Sequence, residues 1–221
     1  MRCWTKWLEA CAWGLLAWGL LGAGAAQAQI AASLQQLTLA RNEEGLFLTA
    51  SVVYEPAAAV AEAVARSVPL YFVAHAEVMR ERWYWTDKRL ASASRTYRLA
   101  YQPLTRRWRV SVASGAGPAA NLQYALHQNH DSLKQALAAV TRLYGWKVAD
   151  ADALADGGAP YLNFQFKLDM ALLPRPFQLG MNTQSDWNID LSRTVSVPTQ
   201  WTPVPVTSSW GEPEPLPAKA P

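Results

Sequence analysis

RERWYWTDKRLASASRTYRLAYQPLTRRWRVSVA, residues 80 to 113, decides the fold. It reads as a three-stranded meander, with a first break at Thr86-Asp87-Lys88 and a second at Gln102-Pro103-Leu104-Thr105. Its last strand alternates cleanly. Trp108, Val110 and Val112 take one face and Arg107, Arg109 and Ser111 the other, the pattern of an antiparallel strand with one side on a core and one in water.

The same period extends upstream. Leu37 and Leu39, then Leu46, Leu48, Ala50, Val52 and Tyr54, alternate with polar or small residues on either side of Asn42-Glu43-Glu44-Gly45, which predicts a β-hairpin over 34–54. Pro56 to Ser67 changes period, because Val60, Val64 and Val68 recur every four residues, and predicts a short helix. Pro69 ends it, and Leu70 to Met79 has the β-branched and aromatic content of a strand.

Downstream, Asp131 suits the N-cap of a helix whose apolar stripe is Leu133, Leu137, Val140 and Tyr144, with Gly145 at its stop. Tyr161 to Asp169 alternates through Leu162, Phe164, Phe166 and Leu168, and Trp187, Ile189 and Leu191 suggest a last strand. No repeat of 20 to 50 residues appears. The expected fold is mainly β with two helices (α+β), a single antiparallel β-sandwich-like domain over 29–200.

The two ends differ from this domain. Arg2 and Lys6 precede an uncharged apolar run, Ala10 to Leu21, and Ala26-Gln27-Ala28 fits a signal-peptidase site, so residues 1–28 read as a secretory signal peptide. The alternative is an uncleaved leader that anchors the chain in the inner membrane, with a structural or assembly role. Residues 202–221 carry six prolines and are expected to stay extended or disordered, giving a Pro-rich tail over 201–221. Removing the leader leaves 193 residues with no cysteine, which excludes disulfides, thiolate nucleophiles and Cys-ligated zinc. Twenty aromatics remain to build an unaided core.

Charge is concentrated in one place. Residues 80–109 hold nine basic side chains against Glu81 and Asp87, a balance of +7, whereas the rest of the mature chain has nine basic against fourteen acidic, or −5. By strand parity Arg80, Arg82, Arg107 and Arg109 would share one sheet face with Tyr84, a binding surface for an anionic protein, lipid headgroup or envelope polymer. Nucleic acid is excluded as a partner by the predicted export. The competing reading makes these arginines the solvated face of a sheet whose Trp83, Trp85 and Trp108 form the core.

Catalytic signals are sparse. His127, His130 and Asp131 form the one cluster that could begin a metal site and a metal-dependent enzyme or envelope hydrolase, although Asn129 and Asp131 also suit helix capping. His75, alone in an apolar strand, reads as a core residue. Asp150 to Gly157 departs from a calcium loop at its fifth ligand and has Tyr161 where the bidentate Glu belongs. With no G-x-S-x-G, H-E-x-x-H or P-loop, no cofactor and no catalytic residue is assigned. The expectation is a non-enzymatic binding or accessory module.

Three motifs in order, 80–110, YLNFQFKLDMALLPRPFQ (161–178) and DWNIDLS (186–192), resemble one family, proteobacterial exported proteins grouped as a domain of unknown function (family 4390). The resemblance spans about residues 30 to 195. It implies a signal-peptide-bearing periplasmic protein of Gram-negative bacteria, often encoded beside a nitrogen-regulation-type sensor histidine kinase, and hence an accessory role near an envelope sensor. It supplies no activity and no site residue.

Overall fold

A computed structural model describes residues 32–84, 86–115, 125–155, 158–173 and 187–198. The leader and the Pro-rich tail lie outside the described residues, as do Trp85, Asp156 and Gly157. The fold begins with a hairpin, β1 (Ala32–Asn42) and β2 (Gly45–Tyr54). The Asn42 side chain builds its turn, Oδ1 accepting from Glu44 N at 3.0 Å and Gly45 N at 3.1 Å. Gly45 is required there on two counts: its φ is +143°, and a Cβ would meet the Ala149 carbonyl oxygen at 2.1 Å.

Helix α1 (Ala58–Ala65) follows, burying Val60 and Val64. The meander is then β3 (Leu70–Arg80), β4 (Lys88–Gln102) and β5 (Arg107–Ser114). Its first strand is thus the segment read as preceding the meander, and the expected strand over 80–85 gives way to a turn after Arg80. Strand β6 (Leu126–His130), helix α2 (Leu133–Thr141), β7 (Arg142–Asp150), β8 (Pro160–Leu168) and β9 (Asp190–Ser196) complete the described elements.

Two antiparallel sheets result, β1-β2-β7 and β6-β5-β4-β3-β8-β9, which places the chain in the α+β class with a mainly β content. Their inner faces meet in one apolar cluster. Leu46, Leu48 and Ala50 of β2 face Phe72, Ala74 and Ala76 of β3 and Leu162, Phe164 and Phe166 of β8 within it. Phe72 stacks on Phe166 with ring centroids 5.8 Å apart, and α2 adds Ala136, Leu137 and Val140. Burial of these alternating rows follows from the period-2 pattern, since slipping any strand by one residue would turn its apolar row to water.

The second helix differs from the sequence reading at both ends. Ser132 rather than Asp131 is the N-cap, its Oγ accepting from Gln135 N at 3.2 Å. The helix stops at Thr141, and Tyr144 and Gly145 belong to β7, where the Gly145 N–H donates to Thr49 Oγ1 at 3.3 Å across a bulged β2–β7 register.

Candidate functional site

Strand parity gives the six-stranded sheet a second, polar face. Across β6, β5 and β4 it carries His127 and Asn129, then Arg107, Arg109 and Ser111, then Arg98 and Gln102, paired as His127–Ser111–Arg98, Asn129–Arg109–Ala100 and Arg107–Gln102. Arg98 and Arg109 are diagonal neighbours, about 7–8 Å apart at this geometry. Arg109 Nε donates to Asn129 Oδ1 at 3.4 Å, and the Gln102 carboxamide, its oxygen assigned toward β5 so that donor meets acceptor, accepts from Arg109 Nη1 at 3.0 Å. His127 Nδ1 and Ser111 Oγ are 2.9 Å apart.

Carboxylates are scarce around these guanidinium groups. Among the described residues Asp131 is the one acidic partner in ion-pair contact with them, 3.5 Å from Arg107 Nε, and both of those side chains are largely in water. An ion pair so exposed contributes about 0–1 kcal/mol. The cluster is therefore a set of planar donor forks, of which Arg109 is held by the neutral amides of Asn129 and Gln102, and among the described residues it is left available to an external carboxylate or phosphate.

The other half of this face is mixed in charge. Glu77 Oε1 receives Arg89 Nη1 at 3.1 Å and lies 3.3 Å from His75 Nε2. Burial pushes the Glu77 carboxyl up, but the hydrogen bonds from Arg89 and His75 outweigh it and hold the group below the usual carboxylate range. Beside the pair runs a groove of about 350 Å³ lined by His75, Glu77, Asn163, Gln165, Ser192 and Thr194. Part of this lining is already engaged, since Gln165 Nε2 donates to Asp190 Oδ1 at 2.9 Å and Thr194 Oγ1 donates to Asn163 Oδ1 at 2.8 Å, and Arg193 lines the groove as well. His75 is thus a half-exposed partner of Glu77 on the polar face, not a core residue.

The five arginine and tyrosine residues singled out in the sequence separate into two places. Arg107 and Arg109 lie in the cluster above, opposite Gln102 and Ala100 of β4. Arg80 pairs with Lys88 at the other end of β4, about 45 Å along the strand at ~3.3 Å per residue. Arg82 and Tyr84 lie beyond β3 in the β3–β4 turn, exposed and off the sheet. Parity alone assigns a face; it cannot say that a strand ends before the residue in question. The sequence reading missed Arg98, Gln102 and Asn129 as members of the cluster. The β4–β5 register, set by the turn at 103–106, is the signal that finds them.

The His127, His130 and Asp131 cluster does not assemble. Both imidazoles stand on β6, three residues apart, so they point to opposite faces. His127 meets Ser111, whereas His130 pairs across from Trp108 with its Nε2 buried and without a partner among the described residues. No group of three metal-ligating side chains occurs among the described residues. No helix among them is long and apolar enough to cross a membrane.

No curated protein and no solved structure matches the chain. A family model does, over residues 29–196, and the chain belongs to the family it describes, the Domain of unknown function (DUF4390).

Proposed function

We propose that the protein is an exported, non-enzymatic binding module that holds an anionic side chain of an envelope protein against Arg98, Arg107 and Arg109. The observation that carries this reading is the composition of the cluster: three guanidinium groups on adjacent strands, with Arg109 held by Gln102 and Asn129, the His127–Ser111 pair on the same face, and among the described residues a single weak carboxylate contact. Hydrogen bonds to charged groups contribute about 1.5–3 kcal/mol each when water is excluded, enough for recognition without a deep pocket.

A protein partner is favoured over a free anion by position. Strand β6 ends the sheet order among the described residues, so a polypeptide lying along that edge would bring its acidic side chains over Arg109 and Arg107. The leader supports export to the periplasm, and an envelope sensor histidine kinase is the partner class that the family resemblance suggests.

Crosslinked capture of tagged protein from the cell envelope tests this. Wild type should retain a partner that the triple variant Arg98→Gln, Arg107→Gln, Arg109→Gln loses, with each arginine worth about tenfold in affinity. An unchanged set of captured proteins from a correctly folded triple variant would overturn the reading.

A further inference from the structure

The β3–β4 turn, residues 81 to 87, exposes two large aromatic side chains next to each other. Trp83 is 93% exposed and Tyr84 65% exposed, and the two rings meet edge to face with centroids 4.8 Å apart. Every described residue from Glu81 to Arg89 is exposed. Chains rarely leave a tryptophan in water, because an aromatic ring is the largest apolar surface a side chain offers. Here two adjacent rings are prearranged against each other.

Basic residues flank them in sequence. Arg80, Arg82, Lys88 and Arg89 outnumber Glu81 and Asp87 by four to two over this decade of residues. The turn is also fixed at its base, where the Tyr161 hydroxyl donates to Asp87 Oδ2 at 2.5 Å and Arg89 bonds Glu77. The result is a turn braced at its base, with two exposed aromatic rings and basic residues flanking them in sequence.

We infer that this tip is a membrane-contact site, which seats Trp83 and Tyr84 in the headgroup region of a bilayer rich in anionic lipid. Tryptophan and tyrosine favour that depth, where the ring leaves water and its polar edge stays hydrated. The flanking lysine and arginine, Arg82 above all, meet the anionic headgroups and add to binding near the surface. Two exposed rings in contact suit a deformable bilayer, whereas a protein partner would have to supply a pocket matched to both. Because the tip lies at the far end of β4 from Arg107 and Arg109, it is separate from the proposed binding cluster.

Purified protein mixed with phosphatidylcholine vesicles, with and without phosphatidylglycerol, tests the assignment by cosedimentation. Binding to the phosphatidylglycerol vesicles is expected, weakening as salt rises. Trp83→Ala with Tyr84→Ala should reduce it at least about tenfold, about 1.4 kcal/mol. Thermal unfolding should be unchanged, since neither ring is buried, and this separates lost contact from lost folding. Arg82→Gln with Lys88→Gln should abolish the preference for anionic vesicles. Failure of wild type to bind them, or equal binding by the aromatic double variant, would overturn the inference. So would loss of a captured protein or of self-association in that variant without vesicle binding, either of which would assign the tip to a protein contact.

Discussion

Replacing Tyr54 by Phe should make the protein more stable, not less. Tyr54 ends β2 inside the core, its ring edge-on to Phe72 at 5.8 Å, and its hydroxyl is buried without a hydrogen-bond partner among the described residues. Burial pushes the phenol up to about 12 from 10.0. A buried, unmatched polar group costs about 1–3 kcal/mol, and Tyr54→Phe removes it while keeping the ring and its contacts. For a chain of this size each kcal/mol moves Tm by about 2–4 °C, so an increase of a few degrees is expected in thermal unfolding followed by circular dichroism. The alkaline limb gives a second readout. Because the folded state holds the Tyr54 proton more tightly than the unfolded state, wild type should lose stability as pH rises from 10 to about 12, and that component should vanish in the variant. A Tyr54→Phe protein less stable than wild type at neutral pH would refute the reasoning and show that the hydroxyl is satisfied.

Gly45→Ala should destabilise by several kcal/mol or prevent folding, because the new Cβ would strike the Ala149 carbonyl and the backbone is left-handed; urea unfolding or soluble yield measures it. Glu77→Gln should cost less than about 1 kcal/mol near neutrality, as its partner Arg89 is largely exposed. Since the folded carboxyl lies below its ordinary 4.5, the stabilisation from ionised Glu77 is present above that pH and lost as pH falls through the folded value, so wild type and variant should converge in acid. N-terminal sequencing of protein recovered from the periplasm should begin at Gln29, and an intact leader would favour the anchored alternative.

The sheets were legible where apolar residues alternate without interruption, as in Leu162 to Leu168 and Leu46 to Val52, because period 2 is enough to fix a strand and its buried face. Strand β7 was not. Gly145, with φ +52°, and the bulges against β2 break its alternation into Leu143, Trp146, Val148 and Ala149, while Leu137, Val140 and Tyr144 continue the preceding helical stripe by coincidence of spacing. The arginines divide the same way. The face of Arg107 and Arg109 follows from parity, but the company they keep depends on register, and β4 carries Arg80 and Arg107 to its opposite ends. Trp83 shows the limit of composition: large aromatics predict core, yet a residue in a turn has no sheet face to bury.

A photo-reactive amino acid placed at Ala100, on the polar face opposite Arg109, tests the binding surface most directly when crosslinked in living cells. Val53, 44% exposed on the outer side of the other sheet, is the control. A discrete adduct from position 100 that disappears with Arg98→Gln, Arg107→Gln and Arg109→Gln, and none from position 53, is the expected result. No adduct at 100, or the same adducts from both positions regardless of the arginines, would contradict the assignment.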